Sequence, residues 1–244
     1  MRLAQLIVFI LATVVNFGVQ FFYNSPFDSD PQVYNEPAGY AFAIWGPIFF
    51  GMILYSIYQM SSRRTESVHL ERATKAGILA GLASIAFVPL SYLGNQPLIL
   101  LDLLWHLGAL IWLFVELGNQ VKLESDPNAR WFYLPTQLYL GWISAATSIG
   151  VALTLEFIGV DLPDATQINL TMAVIAALAM VAIYVVEKGG GVVALTVIWA
   201  LVGIIVKNGD IAMIYYAAIA AIVLIAATLV IHLTRGGSVV WLRR

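Results

Sequence analysis

The sequence contains no cysteine and few charged residues. Of its 244 residues, 11% are charged and 61% are hydrophobic, and the mean hydropathy is +0.87. Without cysteine the chain forms no disulfides, thiolate metal sites or cysteine nucleophiles. A soluble domain carries about 25% charged residues, so this low charge content predicts an integral membrane protein. No basic patch or nucleic-acid motif is present, and nucleic acid is therefore not a predicted partner.

The sequence also lacks the motifs of the common enzyme classes. It contains no HExxH, no GxSxG, no phosphate-binding loop and no paired catalytic carboxylates. The three histidines, His69, His106 and His232, have no partner at metal-ligand spacing. A single histidine can be an axial ligand of haem, but it is not a motif. We therefore predict no enzyme activity and no metal site.

Eight apolar segments, each near the 20 or so residues that cross a bilayer, predict an all-α bundle of eight transmembrane helices. Runs of this length are too long for the strands of a membrane barrel. An acidic loop (24–36) separates the first two segments, and a basic loop (61–75) follows the second. The predicted spans are residues 3–23, 39–60, 76–93, 98–117, 131–158, 167–186, 192–206 and 211–233.

The distribution of Lys and Arg orients this bundle. When the loops alternate between the two sides, eleven of the 12 basic residues lie on the side of the termini, and only Lys207 lies on the other. By the positive-inside rule, both termini are predicted to be cytoplasmic, in a multi-pass protein of a bacterial inner membrane. The loop 24–36 then faces outward, together with Asp161 and Asp164.

Aromatic residues crowd the start of the second span. Tyr40, Phe42 and Trp45 fall within six residues, flanked by prolines and a glycine. One interpretation is an interfacial aromatic belt, which Trp and Tyr form in most membrane proteins. The other is the opening of a pocket in which aromatic rings hold a flat lipophilic ligand. The residues alone leave both open.

Two ionisable residues lie inside the fourth span. Asp102 and His106 are four residues apart and therefore share one helix face. Ionisable groups inside a membrane are costly and usually face a cavity or a partner. The pair is therefore either a proton relay or ligand anchor, or a self-satisfying pair near the outer end of the helix. Asp102 lies only about 8 Å into the span, at a rise of 1.5 Å per residue.

The fifth span is the most polar. Small and hydrogen-bonding residues recur on one face of it at spacings of four, three and four, and they are either a helix-packing surface or a pocket wall. These residues are Gln137, Gly141, Ser144 and Ser148.

Residues 37–46, PAGYAFAIWG, resemble the opening of the second helix of the TspO/MBR family, the tryptophan-rich sensory proteins related to the translocator protein. The later pair Leu54-Tyr55 resembles that family's Leu-Tyr pair. Its fifth helix reads Tyr-x-x-Trp-x-x-x-Ala, a spacing kept here by Tyr139, Trp142 and Ala146. The chain departs from the family at Leu138 and Gly150, where the family usually has Pro and Asn.

The resemblance covers about residues 1–158. It implies a TspO-like five-helix membrane domain over 1–158 and a three-helix C-terminal membrane extension over 159–244, which has no counterpart in the five-helix fold. We therefore predict a divergent branch of the family with extra C-terminal helices.

The resemblance implies a binding protein for a lipophilic or tetrapyrrole-type ligand, used in sensing or trafficking. The implied ligands are a porphyrin or haem, or a sterol- or lipid-like molecule, and a homodimer is a further expected state. Two alternatives stay open, a proton-coupled small-molecule transporter that uses Asp102 and His106, and a structural or assembly subunit of a membrane complex. By position, the implied ligand-binding residues are Tyr40, Phe42, Trp45, Tyr139 and Trp142.

Overall fold

The computed structural model describes residues 1–22, 33–61, 65–124, 129–160 and 162–240, without the side chains of residues 19–22. These ranges contain helices and no strands, so the predicted all-α fold is confirmed. The helices are α1 (Arg2–Phe22), a 3₁₀ helix (Gly39–Ile44), α2 (Trp45–Gln59), α3 (Val68–Leu93), α4 (Gln96–Val121), α5 (Ala129–Phe132), α6 (Leu134–Phe157), α7 (Asp164–Val186), α8 (Gly191–Lys207) and α9 (Ala212–Thr234).

Each of the eight predicted spans corresponds to a helix of the bundle. Six helical stretches in the described part of the chain are long and apolar enough to cross a membrane: Gly39–Gln59, α3, α4, Ala129–Phe157, α7 and α9. The other two, Arg2–Gly18 of α1 and α8, are shorter apolar helices. Helices satisfy their own backbone hydrogen bonds, which lipid cannot do. The chain is therefore an integral, multi-pass membrane protein.

The third span begins earlier than predicted. Helix α3 starts at Val68 and not at residue 76, because the Ser67 hydroxyl caps it by accepting the N–H of Leu70 at 3.1 Å. Arg72 and Lys75 therefore lie on the first turns of α3 and not in a basic loop. His69, also expected in that loop, lies on the same turn and contacts the Glu116 carboxylate of α4 at 2.6 Å.

Two predicted spans are interrupted. The second starts as a 3₁₀ helix and becomes α-helical at Trp45. The fifth is broken at Tyr133, because Pro135 in the first turn of α6 has no N–H to continue a helix from α5. The ring of Pro135 lies against Gly51 of α2, where a Cβ would come within 2.4 Å of it. Proline and glycine thus bring α2 and α6 into close contact.

Helix α6 lies in the middle of the bundle, where it packs against α2, α4 and α8. Helix α1 packs on α2 and α3, and α3 packs on α4, whereas α7, α8 and α9 pack on one another. We call the end at which α1 begins the base, and the opposite end, where residues 33–44 approach the bundle, the mouth. Because α6 touches both groups of helices, it joins the first five predicted spans to the last three.

Some predicted features lie outside the described residues. They are residues 24–32 of the acidic loop, Arg63 and Arg64 of the basic loop, Asp161, and Arg243 and Arg244. The division of the chain into a domain over 1–158 and an extension over 159–244 stays a prediction.

Candidate ligand site at the mouth of the bundle

Four of the five predicted ligand-binding residues form one aromatic cluster between α2 and α6. The ring of Trp45 is 5.8 Å from that of Tyr139 and 6.3 Å from that of Trp142, edge to face in both cases. Phe42, in the 3₁₀ helix, contacts Trp142 in the same way at 5.3 Å. Phe49 stacks on Trp45 at 5.2 Å. These edge-to-face and stacked arrangements are the ones that aromatic rings favour, so the rings fill the space between the helices with one another.

Burial divides the predicted residues into two groups, with Trp45, which is half-buried, between them. Tyr139 and Trp142 are 0% and 1% exposed and lie in the interior. Phe42 and Tyr40 are 36% and 43% exposed and lie on the surface of the mouth. Phe42 and Tyr40 are therefore the predicted residues that a ligand at the surface can touch directly.

The fifth predicted residue, Tyr40, points away from the cluster, towards α8. Its ring meets that of Trp199 edge to face, with the centroids 5.4 Å apart. The indole N–H of Trp199 donates a hydrogen bond of 2.9 Å to the backbone oxygen of Ala41. Trp199 was not among the predicted site residues. It is the only tryptophan in the last three spans, and that isolation in an otherwise aliphatic segment is the signal in the sequence that points to it.

A groove lies on the other side of the same segments, between the 3₁₀ helix, α6 and α8. Its volume is about 390 Å³, and its lining is almost wholly apolar. The one hydroxyl in the lining, that of Thr196, donates to the backbone oxygen of Val192 at 2.9 Å. We call this feature the mouth groove because one end of it is the 3₁₀ helix; its other end reaches Leu138 and Val192, in the base-side turns of α6 and α8. Its lining residues are Ala43, Ile44, Pro47, Leu138, Val192, Leu195, Thr196 and Trp199.

The polar stripe of the fifth span packs against α8. The side-chain amide of Gln137 donates to the Gly189 oxygen at 2.9 Å and accepts the N–H of Val192 at 3.2 Å. At Gly141 a Cβ would lie 2.6 Å from the Cβ of Thr196, so glycine is what allows α6 and α8 to approach there. For these two residues the helix-packing interpretation is confirmed.

Polar contacts tie the segment before the 3₁₀ helix to the last three helices. The ammonium group of Lys207, at the end of α8, forms an ion pair with Glu36. Asn208 donates to the Tyr34 oxygen at 2.9 Å, and the Tyr34 hydroxyl donates to the Asp164 carboxylate at 3.1 Å, which raises the pKa of Tyr34. The single basic residue predicted on this side of the membrane is therefore neutralised by the acidic segment beside it.

Asp102 and His106 lie on the face of α4 that meets α6. The His106 ring contacts Tyr139 edge to face, with the centroids 4.8 Å apart. His106 is 1% exposed, and neither of its ring nitrogens has a hydrogen-bond partner. Asp102 therefore does not hydrogen-bond to His106, and the interpretation as a self-satisfying pair is wrong. Whether the pair relays protons stays a prediction.

No group of three or more His, Cys, Asp or Glu side chains that could hold a metal ion occurs among the described residues. The groove lining also contains no histidine and no basic side chain. These observations bear on which ligands the mouth groove can accept.

Comparison with known proteins places the chain in a family. A family model described as TSPO-like protein matches residues 2–231. The match extends through α7 and α8 and nearly to the end of α9, so the prediction that the family resemblance is confined to about residues 1–158 is wrong. No curated protein matches the chain, and no solved structure matches it. Since the family match covers nearly the whole length of the sequence, the chain belongs to the TSPO-like protein family.

Proposed function

We propose that this protein binds a lipophilic small molecule in the mouth groove, for sensing or trafficking. The observation that carries the proposal is the groove itself, an apolar hollow of about 390 Å³ between the 3₁₀ helix, α6 and α8. Pockets for small molecules usually measure about 300–1,000 Å³ and are lined mainly by hydrophobic and aromatic side chains. The groove meets both conditions, and its lining leaves no polar group free except backbone.

In this proposal the predicted aromatic residues act in two ways. Trp199 lines the groove and contacts the ligand there, and the exposed ring of Tyr40, which meets Trp199, borders it. Phe42 packs on Trp142 at the aromatic side and does not line the groove. The half-buried Trp45 and the buried Tyr139 and Trp142 form the wall behind the 3₁₀ helix and keep that segment in place. A flat ligand gains affinity by stacking on exposed rings, so the first group sets ligand preference and the second sets the shape of the site.

The ligand enters from the side of the bundle. Four lining residues of the groove are exposed on the outer surface of the helices, where lipid surrounds the protein. A molecule dissolved in the bilayer reaches the groove without crossing the layer of polar contacts around Glu36 and Lys207. The exposed lining residues are Ala43, Pro47, Leu195 and Trp199.

A haem does not fit the mouth groove. Haem iron is held by histidine, cysteine, methionine or tyrosine side chains, and the lining contains none of these. It also offers no cation to the carboxylates of the macrocycle. A tetrapyrrole would therefore bind as a flat ring without iron coordination, and a sterol or another lipid suits the lining equally well.

A substitution that fills the groove tests the proposal. Ala43→Leu adds bulk to the lining, and the matched control Ala176→Leu adds the same bulk to an exposed alanine on α7 outside the groove. Each variant is reconstituted in lipid nanodiscs and titrated with protoporphyrin and with a fluorescent sterol, and quenching of tryptophan fluorescence is the readout.

We expect Ala43→Leu to weaken binding of at least one probe by about tenfold, equivalent to 1.4 kcal/mol, and Ala176→Leu to leave both unchanged. Equal affinities in the wild type and Ala43→Leu would contradict the proposal. Native mass spectrometry of the purified protein then identifies the lipid that it carries from the cell.

We also propose that the base faces the cytoplasm of a bacterial inner membrane, because the alternation of the predicted spans assigns eleven of the 12 basic residues to that side. The chain contains no cysteine, so single cysteines report their own accessibility. We expect Val160→Cys, at the mouth, to react with an impermeant maleimide in intact spheroplasts. Lys122→Cys, at the base, should react only after permeabilisation, and the reverse pattern would invert the orientation.

A further inference from the structure

A second cluster of polar groups lies inside the bundle, separate from the mouth groove. It consists of Asp102 and His106 of α4 and Tyr139 of α6. The Oδ2 atom of Asp102, both ring nitrogens of His106 and the hydroxyl of Tyr139 are buried and have no hydrogen-bond partner in the protein. The Tyr139 hydroxyl lies near the Ser84 side chain and Asp102, but it does not reach hydrogen-bond geometry with either.

Four unpartnered atoms in one place are unusual. A buried polar group without a hydrogen bond costs about 1–3 kcal/mol in proteins, and most such groups are paired with protein or with ordered water. The atoms here include a carboxylate acceptor, an imidazole that both donates and accepts, and a hydroxyl that does both. Water is the small molecule that can satisfy all three at once, and internal waters typically make about three hydrogen bonds to such groups.

Asp102 and His106 lie closer to the mouth end of α4 than to its base end. Asp102 lies six residues from the start of α4, about 9 Å along the helix, and His106 lies about 15 Å along it, at 1.5 Å per residue. Asp102 is only partly buried. The carboxylate therefore lies between the aqueous phase at the mouth and the interior of the bundle, where the imidazole ring is located.

The neighbouring helices bring few other charges to this site. Helix α4 packs against α3 and α6. The charged residues of α3 and its His69 all lie in its base half, and Tyr92 is the titratable residue of its mouth half. Helix α6 contributes Tyr139 and, near its mouth end, Glu156. None of the described contacts pairs Asp102 or His106 with a cation.

We propose that Asp102, His106 and Tyr139 enclose a hydrated protonation site open to the mouth side of the membrane. In the protonation step, a hydronium ion at the mouth transfers its proton to the Asp102 carboxylate and leaves as water. Bridging water connects the resulting carboxylic acid to His106 and Tyr139. Because the Tyr139 ring contacts both His106 and Trp45, a change of charge at Asp102 alters the surroundings of the aromatic cluster.

This site does not depend on ligand binding in the mouth groove, and either proposal can fail without the other. It supplies the group that a proton-coupled transporter would need, and it equally suits a sensor of external pH.

Infrared difference spectroscopy tests the site directly. Spectra of the protein in nanodiscs are compared between mildly acidic and mildly alkaline solution, where a carboxyl group that takes up a proton gives a carbonyl-stretch band. We expect this band in the wild type, its loss in Asp102→Asn, and its retention in the matched control Glu116→Gln, which changes the other acidic residue of α4. In heavy-oxygen water we expect an additional shifted band from internal water.

Two further variants keep the test decisive if Asp102→Asn does not fold. His106→Gln and Tyr139→Phe each alter one polar partner and leave Asp102 in place. We expect both to shift the pH midpoint of the carboxyl band, and Tyr139→Phe also to reduce the pH dependence of tryptophan fluorescence. The proposal is overturned by a band that persists in a folded Asp102→Asn variant, by the lack of any band in the wild type, or by midpoints unchanged in both partner variants.

Discussion

The two sides of the 3₁₀–α2 segment and α6 differ in how they use their space. On one side the large ring of Trp45 contacts those of Tyr139 and Trp142, and the rings fill the space between the helices. On the other side Ala43 and Thr196 line the mouth groove together with aliphatic residues and Trp199, and its volume is about 390 Å³. The comparison shows that a concentration of aromatic residues does not itself make a pocket. Large side chains fill the interior, and small ones beside them leave the room for a ligand.

The difference predicts separate roles for the two sides, stability for the aromatic cluster and binding for the mouth groove. Substitutions on each side test whether the roles are separate.

The largest effect is expected at the centre of the aromatic cluster. Trp142→Ala removes a ring that is 1% exposed and contacts both Phe42 and Trp45. Truncations of this kind cost about 3–5 kcal/mol, so we expect a clear fall in the unfolding temperature measured by scanning fluorimetry in detergent. Trp105→Ala, at a position 59% exposed, is the matched control and should change it little. Similar losses in both variants would show that the cluster is not the stabilising element.

A smaller loss is expected where α6 meets α8. Gly141→Ala places a methyl group 2.6 Å from the Thr196 Cβ and 2.9 Å from the Val193 oxygen, so the helices must separate. Overpacking typically costs about 1–3 kcal/mol. Because Thr196 lines the mouth groove, this variant should also weaken probe binding.

The control for that variant is Gly108→Ala on α4, where an added Cβ meets nothing within 4 Å. It should leave both the unfolding temperature and the probe affinity close to those of the wild type. A Gly141→Ala variant that behaves like Gly108→Ala would mean that α6 and α8 are farther apart than described.

The hydrogen bond of Trp199 joins α8 to the 3₁₀ helix and should contribute about 1 kcal/mol to the free energy of unfolding. Trp199→Phe keeps an aromatic ring in the mouth groove but removes the donor to the Ala41 oxygen. We expect a modest loss of stability and a several-fold loss of probe affinity, because the 3₁₀ helix is then less firmly held. Lowered stability with unchanged probe affinity would mean that Trp199, like the aromatic cluster, stabilises the fold and does not bind the ligand.

The smallest effect is expected at the ion pair of Glu36 and Lys207. Both side chains are partly exposed, and ion pairs in such positions contribute about 0–1 kcal/mol. Lys207→Met should therefore lower the unfolding temperature slightly, and added salt should reduce the difference from the wild type, because screening weakens the pair. A double-mutant cycle with Glu36→Gln separates the pair from the individual side chains, and a coupling of several kcal/mol would contradict this expectation.

Several features of the site could be predicted from residue spacing. The resemblance to the family singled out Phe42, Trp45, Tyr139 and Trp142, and these four rings meet in one cluster. Their role in ligand binding stays a prediction. The contact of Tyr40 could not be predicted, because its partner Trp199 lies on α8, outside the five helices that the resemblance covered. The mouth groove could not be predicted either, since its lining comes from three separate stretches of chain.

Residue patterns alone predicted a membrane bundle of eight apolar helices, because lipid offers no hydrogen bonds to a backbone and so requires apolar helices. They also determined that Asp102 and His106 share one face, through the helical period. Only the tertiary structure decided that Tyr139 lies against His106 and that Trp199 bonds to Ala41, 158 residues away. Such contacts depend on which helices pack together, and that choice follows from the fit of whole surfaces, which no local pattern of residues records.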